Sequence, residues 1–376
     1  MSKSYPALVA YEPNPKPNWK VETVKIVRAP NEKELKIRMV ATGICHTDIV
    51  LAGISGPPGL EFPRIFGHEG AGIVEEVGTG VTAAKVGDPV LLSYKFCGEC
   101  ELCFDHQEPY CLKWNELNIS SVPRVFENEQ GQTVGAGFFQ QSSFAGASIV
   151  NEGAVVNVKD LLRDAEELKL LAPLGCGFLT GSGAVLNVAR PTPNDVVMVL
   201  GMGGVGLAAL MTAHMLGCKT IIAVDRVASR LDMAKELGAT MILNTNVPGY
   251  DLTAEARRAV GERRITHVID TTAHPAVIAA ALAALGKRGR FIQLGAPGLD
   301  AELKIGFSDF FTNGKTFENV YLGNTTGQEH IPKMIQWYHE GKFPIDKLVK
   351  YFPVKDALQG LHGMESGTAI KPIIVW

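Results

Sequence analysis

The chain has 376 residues, 46 % of them hydrophobic, with 40 glycines and 21 prolines, more than one hydrophobic core usually organises, which predicts two domains. Lysine and arginine total 36 against 39 acids, a net charge of −3, so no positive field is available for a nucleic-acid backbone or an anionic membrane surface. Seven cysteines form an odd set, four of them crowded between Cys97 and Cys111, which fits a metal site in a reducing compartment better than a disulfide framework.

Taken in chain order, Met1 to Tyr11 carries no apolar run with a small-residue cleavage site, so no secretion signal is expected and a cytoplasmic protein is. The first 170 or so residues mix short β-type runs, such as Ile65 to Val77 and Gly87 to Ser93, with glycine and proline punctuation, the texture of an irregular, mostly β domain. From about Thr180 to Phe317, apolar strands at 196–200, 220–224, 266–270 and 290–294 alternate with helical segments such as Ser229 to Leu237 and Pro275 to Leu285. That alternation builds a doubly wound parallel sheet with helices on both faces. The uncharged stretch Val196 to Cys218 imitates a membrane span, but glycines at 201, 203, 204 and 206 divide it into a strand, a turn and a helix closed by Gly217. After Tyr321 a helix is predicted over Ile331 to Gly341, then a final strand over Ile370 to Val375 that could rejoin the first domain.

Three constellations carry chemistry. Gly201-Met202-Gly203-Gly204-Val205-Gly206 matches G-x-G-x-x-G between a predicted strand and a predicted helix, the setting in which glycines admit a pyrophosphate to the unpaired N–H groups and positive dipole end of the helix start. Asp225 lies 19 residues after Gly206, at the end of the next strand, where a carboxylate can accept from ribose hydroxyls and repel a 2′-phosphate. This favours NAD over NADP, with Arg226 and Arg230 pulling the other way. Cys97, Cys100 and Cys103 at C-x-x-C-x-x-C spacing, followed by Cys111, let one loop fold around a tetrahedral ion in a closed, structural site. An iron–sulfur cluster is the other reading of that spacing. Finally, Cys45, His68 with Glu69, and Cys176 each sit beside glycine in segments far apart in the chain. Individually each is weak, since a lone cysteine is most often a small buried hydrophobe.

These segments together resemble the zinc-dependent medium-chain alcohol dehydrogenases. The resemblance runs through Gly43-Ile44-Cys45-His46-Thr47-Asp48, Gly67-His68-Glu69-Gly70-Ala71-Gly72, the four-cysteine loop, Pro173-Leu174-Gly175-Cys176-Gly177, the glycine fingerprint, Val224-Asp225 and Ile370-Lys371-Pro372-Ile373-Ile374. Within that family, Leu92-Ser93-Tyr94, the run Phe138 to Phe144 and Gly341 to Asp346 look most similar to aryl-alcohol (benzyl-alcohol) dehydrogenases. The resemblance implies a mostly β GroES-like catalytic domain over 1–179 and 321–376, and a Rossmann domain over 180–320. It implies two zinc ions, one catalytic on Cys45, His68 and Cys176 with Glu69 entering during ligand exchange, and one structural on Cys97, Cys100, Cys103 and Cys111. Asp48 would orient His68, and Thr47 would pass the alcohol proton onward, although Val50 stands where liver-type members have the last histidine of the relay. His46 and Lys371 would face the cofactor pyrophosphate, Thr180 and Val205 would lie against the nicotinamide ring, and Leu294 would also bind the cofactor. Ser93, Tyr94, Leu117, Phe138, Phe139, Ala296 and Tyr321 would fall near the substrate pocket, with core packing an equal account of the phenylalanine pair.

The function expected is hydride transfer between NAD(H) and a primary alcohol or aldehyde, aryl or otherwise bulky, in a homodimer or homotetramer. Two other readings compete. A zinc-free, NADPH-dependent enone or quinone reductase of the same superfamily would share the glycine fingerprint but has no need of Cys45, His68 and Cys176 together. A nucleic-acid-binding or cofactor-sensing protein built on the cysteine loop is opposed by Glu99, Glu101, Asp105 and Glu108 within it.

Overall fold

The structure is a computed structural model that describes residues 3–376 apart from 14, 15, 55–58, 121, 297, 299 and 300; Met1 and Ser2, part of the segment read for a signal, lie outside it. The chain divides into two compact units, one made of 1–176, 326–336 and 345–376, the other of 177–325 and 337–344. Among the described residues no single helix is long and apolar enough to cross a membrane.

The first unit is mostly β. The strands Ser4–Tyr11, Asn18–Ile26, Val122–Asn128, Thr133–Ala136 and Arg64–Ile65 close a small barrel. A second sheet is built around Glu34–Gly43, flanked by Gly70–Val77 and by the final strand Lys371–Val375. The apolar run expected from Ile65 to Val77 is therefore two strands belonging to two sheets. Between them Gly67, at φ 88°, turns the chain in a conformation that costs glycine little, and this break carries His68 and Glu69. The last strand does rejoin the first domain: it pairs antiparallel with Glu34–Gly43, Ile373 opposite Gly43, and parallel with Val349–Pro353. That pairing brings Lys371 beside the Gly43–Ile44 backbone.

The second unit holds a parallel sheet in the order 241–244, 220–225, 196–200, 265–270, 285–293, 316–319. Val196, Met198 and Leu200 pack with Leu252 and Ala256 of the helix Leu252–Val260 and with Ile278 and Ala281 of Pro275–Ala284. The alternate residues Val197 and Val199 are also fully buried, because a strand in a doubly wound sheet has helices on both sides and reads as a continuous apolar run. The helix Gly204–Met215 is buried from Gly206 to Ala213, which explains why its sequence looks like a membrane segment. Gly217, at φ 80°, ends it. The helix expected over 331–341 runs instead from Gly327 to His339. Thr326 starts it early, its carbonyl accepting from His330 N and its hydroxyl from Glu329 N, and Gly341, at φ 70°, closes it.

Candidate active site

Cys45 sits at the start of the short helix His46–Ala52, at the end of the Glu34–Gly43 strand. Asp48, three residues on and fully buried, divides its carboxylate between two tasks. Oδ2 accepts from Cys45 N at 2.9 Å, closing the first turn, while Oδ1 accepts from Gly67 N at 3.0 Å and from His68 Nδ1 at 2.8 Å. One aspartate thus caps a helix and ties the turn carrying Cys45 to the turn carrying His68. Because a carboxylate accepts from Nδ1, the ring's other nitrogen is the one left for a ligand.

Cys176 closes the set from a third segment, just after the short helical turn Ala172–Gly175. A Cβ on Gly175 would lie 1.9 Å from the Leu92 carbonyl oxygen, so only glycine lets this segment lie flat on the strand beneath. The ligand atoms of Cys45, His68, Glu69 and Cys176 all fall within 4.8 Å of one another. His68 Nε2 is buried without a well-formed hydrogen bond, a position that loses free energy unless something else engages it. The hydrogen bond from Cys176 holds the Cys45 thiol well below its ordinary range, and that same bond together with burial pushes Cys176 well above it. Burial would lower His68, but the Asp48 and Cys45 charges hold it well above its usual value. Two sulfurs and an imidazole, converging with protons that a dication would displace, fit zinc and leave the fourth corner of a tetrahedron to another oxygen.

Glu69 is fully buried, and both its oxygens accept from Lys371 Nζ at 2.9 Å; the same ammonium donates to the Ile44 carbonyl at 3.1 Å. Burial pushes the Glu69 carboxyl up to about 7 against the pull of Lys371. Burial would lower Lys371, and Glu69 outweighs it. Lys371, 2 % exposed, thus holds the carboxylate of a member of the ligand cluster. Sequence reasoning missed this pair, whose members are 302 positions apart.

The four sulfurs of Cys97, Cys100, Cys103 and Cys111 likewise lie within 4.8 Å of one another, with Cys97–Cys103 at 3.9 Å and Cys100–Cys103 at 3.5 Å. A zinc–sulfur bond of about 2.3 Å implies sulfurs roughly 3.8 Å apart in a tetrahedron. Backbone N–H groups already point at the sulfur atoms, Cys97 N to Cys111 Sγ at 3.4 Å and Glu99 N to Cys97 Sγ at 3.5 Å. Backbone donation from Leu112 brings the Cys100 thiol down to about 6, and burial pushes Cys103 up to about 12.

Of the residues expected near substrate, Phe138 is fully buried and packs edge-on against Phe66, Phe139 and the His68 ring. Phe139, 3 % exposed, stacks on the His68 ring with centroids 4.5 Å apart. The Ser93 hydroxyl is committed to the Gly175 carbonyl at 2.7 Å; Tyr94 is buried and Leu117 half-buried. His46 is exposed, Thr47 half-buried and Val50 45 % exposed. Ala296 and Tyr321, both exposed, belong to the second unit.

In that second unit the glycine turn has the geometry its motif predicts. Gly201 has φ 87°, and a Cβ on Gly206 would lie 1.8 Å from the Gly201 carbonyl oxygen, whereas a Cβ on Gly203 would meet nothing within 4 Å. The helix beginning at Gly204, with Val205 half-buried, therefore has open space at its start. Asp225 stands beside this turn, Oδ2 accepting from Met202 N at 2.6 Å and Oδ1 from Val227 N at 2.8 Å. Arg230 lies on the helix Ala228–Glu236 that follows, half-buried. Thr180 is buried in the helix Gly177–Gly183, and Leu294 N donates to the Asp270 carbonyl at 2.8 Å.

Residues 31–160 match the alcohol dehydrogenase GroES-like domain and 204–340 the zinc-binding dehydrogenase domain. A geraniol dehydrogenase of Castellaniella defragrans is 37 % identical over 360 residues, 95 % of this chain and 94 % of that protein. Two crystal structures superpose on nearly all of the chain. An alcohol dehydrogenase zinc-binding domain protein of Burkholderia ambifaria has a TM-score of 0.92 at 34 % identity, covering 100 % of this chain and 99 % of that one. The benzyl alcohol dehydrogenase of Acinetobacter calcoaceticus has a TM-score of 0.89 at 35 % identity, covering 99 % of each. With both domain families matched and the cysteine and histidine side chains of a zinc enzyme gathered in one place, the chain belongs to the zinc-binding, medium-chain alcohol dehydrogenase family and is an alcohol oxidoreductase.

Proposed function

We propose that this enzyme transfers hydride between NAD(H) and a primary alcohol or aldehyde with an aryl or allylic group beside the reacting carbon, using Cys45, His68 and Cys176 as ligands of a catalytic zinc. The observation that carries the reading is the convergence of those three side chains around the buried Nε2 of His68, which has no well-formed hydrogen bond. Zinc in such a site acts as a Lewis acid, lowering the pKa of bound water to about 7 and acidifying an alcohol similarly, or polarising a carbonyl in reverse. Asp48 holds the imidazole in register, and Lys371 keeps Glu69 at the edge of the set. Thr47, half-buried on the turn after Cys45, is the hydroxyl placed to take the proton. With Val50 in place of a histidine, that proton leaves to water or through His46.

The four-cysteine loop takes the second, structural zinc, and its closed ligand set leaves no corner for substrate. Asp225 beside the glycine turn supports NAD, since a fixed carboxylate there meets ribose hydroxyls favourably and a 2′-phosphate unfavourably. A geraniol and a benzyl alcohol dehydrogenase among the relatives support an unsaturated or aryl group on the substrate, as do the aromatic side chains around His68. Comparing kcat/KM for benzyl alcohol and geraniol with that for ethanol tests the substrate class, and equal values would remove it. For the cofactor, Asp225→Ala is expected to raise kcat/KM with NADP relative to NAD about tenfold, the effect of roughly 1.4 kcal/mol. An unchanged ratio would detach Asp225 from cofactor choice.

A further inference from the structure

The loop that follows Gly137 is bent more sharply than its sequence requires. Phe139, Gln140 and Ser142 all take positive φ, at 50°, 56° and 45°, a conformation that side chains other than glycine hold only when their surroundings impose it. What imposes it here is a clasp on the segment 65–70. Ser142 Oγ donates to the Ile65 carbonyl at 2.7 Å, Phe144 N to that of Phe66 and Ser143 N to that of Gly67, both at 3.0 Å. Gln141, fully buried, completes it. Its Nε2 donates to the carbonyls of His68 at 3.0 Å and Ser93 at 2.8 Å, and its Oε1 accepts from Gly70 N at 3.1 Å.

One side-chain amide therefore grips the main chain on both sides of Glu69, at the His68 carbonyl and the Gly70 N–H, and ties it to the strand end beside Cys176, where Ser93 Oγ reaches the Gly175 carbonyl. Asp48 holds the imidazole from its Nδ1 side, and Gln141 holds the main chain at the His68 carbonyl. A buried amide is costly unless each group is matched, and a network matched this fully favours one arrangement over neighbouring ones.

We propose that Gln141 is a positioning residue for the catalytic metal centre, setting the height at which His68 meets Cys45 and Cys176. The inference rests on the ligand set proposed above. Its test compares two buried amides of the same unit. Asn118 does for the cysteine loop what Gln141 does for His68, its Oδ1 accepting from Lys95 N at 2.9 Å and its Nδ2 donating to the carbonyls of Lys95 at 2.8 Å and Trp114 at 3.0 Å. Holoenzyme carrying Gln141→Met or Asn118→Leu is mixed with excess chelating dye, and zinc release is followed for each ion alongside the melting temperature. The absorption spectrum after cobalt exchange at the open site is recorded for each.

Loss of an outer hydrogen-bond partner typically weakens metal binding 10–100-fold. Gln141→Met should speed release of one ion by about that factor and shift the cobalt bands, with the other ion unaffected. Asn118→Leu should lower the melting temperature yet leave the open-site ion and its spectrum as in wild type. If Gln141→Met melts lower but releases its ion at the wild-type rate with an unchanged spectrum, the amide is only structural and the proposal is wrong. Should Gln141→Met fail to fold, Gln141→Glu, which keeps the acceptor for Gly70 N, is read by the same criteria. A Cys45→Ala variant with the zinc content of wild type would sink the ligand set itself, an outcome distinct from a wild-type release rate in the Gln141 variants.

Discussion

The two metal-ligating clusters solve one coordination problem in opposite ways. The four cysteines of the loop come from fifteen consecutive positions, and the segment around them buries little, with Phe104 69 % and Leu112 64 % exposed. Under the proposed structural zinc its order would come from that ion, assisted by backbone N–H groups aimed at sulfur. Cys45, His68 and Cys176 span 132 positions and are carried by separate segments: Cys45 after the strand Glu34–Gly43, His68 between two strands, and Cys176 between two helical segments. They are backed by a buried aspartate and a buried Lys371–Glu69 pair. A site built from neighbours in sequence needs its ion to be a structure, while a site built by the fold can leave one corner open for chemistry.

The contrast breaks first at the ligands. Cys45→Ala is expected to lower kcat/KM by about a thousandfold or more, the loss of several kcal/mol of Lewis-acid stabilisation, with one zinc lost per chain and the melting curve little changed. Cys103→Ala should do the reverse. It should lose the other zinc, expose 97–111 to proteolysis and lower the melting temperature by several degrees, while surviving molecules keep most of their turnover. If the two variants exchanged these outcomes, the assignments of open and closed site would be exchanged too.

A smaller effect sharpens the role of the buried support. Asp48→Asn keeps the shape but removes the charge facing His68, and metal affinity measured by chelator competition should fall about 10–100-fold. The corresponding change in the loop, Glu99→Gln, removes only a surface pair with Lys113 and should leave zinc affinity within about twofold, as exposed ion pairs contribute little. A steric effect is expected at Gly43, where a Cβ would lie 2.1 Å from Glu69 Oε2. Gly43→Ala must push the carboxylate or its lysine aside, costing about 1–3 kcal/mol of stability. A melting temperature equal to wild type would show that the Glu69–Lys371 pair has room to move.

How much could be read beforehand differs between the same two regions. The loop was legible because its spacing alone limits where four sulfurs can go. The glycine turn was legible because strand, turn and helix are local, and the structure places Gly201, Gly203 and Gly206 as the motif requires. The open cluster was legible only through resemblance to a family, since nothing in 45, 68 or 176 by itself says that they meet. The role of Phe138 was open because an aromatic pair fits a pocket wall and a core equally well until packing is known. Gln141 lay inside the run Phe138 to Phe144 that resembles aryl-alcohol dehydrogenases, but nothing in the run said which main-chain groups its amide would meet.

Alternating apolar strands and helices, the glycine fingerprint and the close cysteines are local facts, set by periodicity, backbone freedom and short loop closure, and the amino-acid order determined them. Tertiary structure alone decided that Lys371 would lie on Glu69 rather than in the open, that Asp48 would serve a helix and a histidine at once, and that Gln141 would grip the turn behind that histidine. Those outcomes depend on which buried polar groups must find partners once the strands have paired, and partners hundreds of positions away are chosen by the fold.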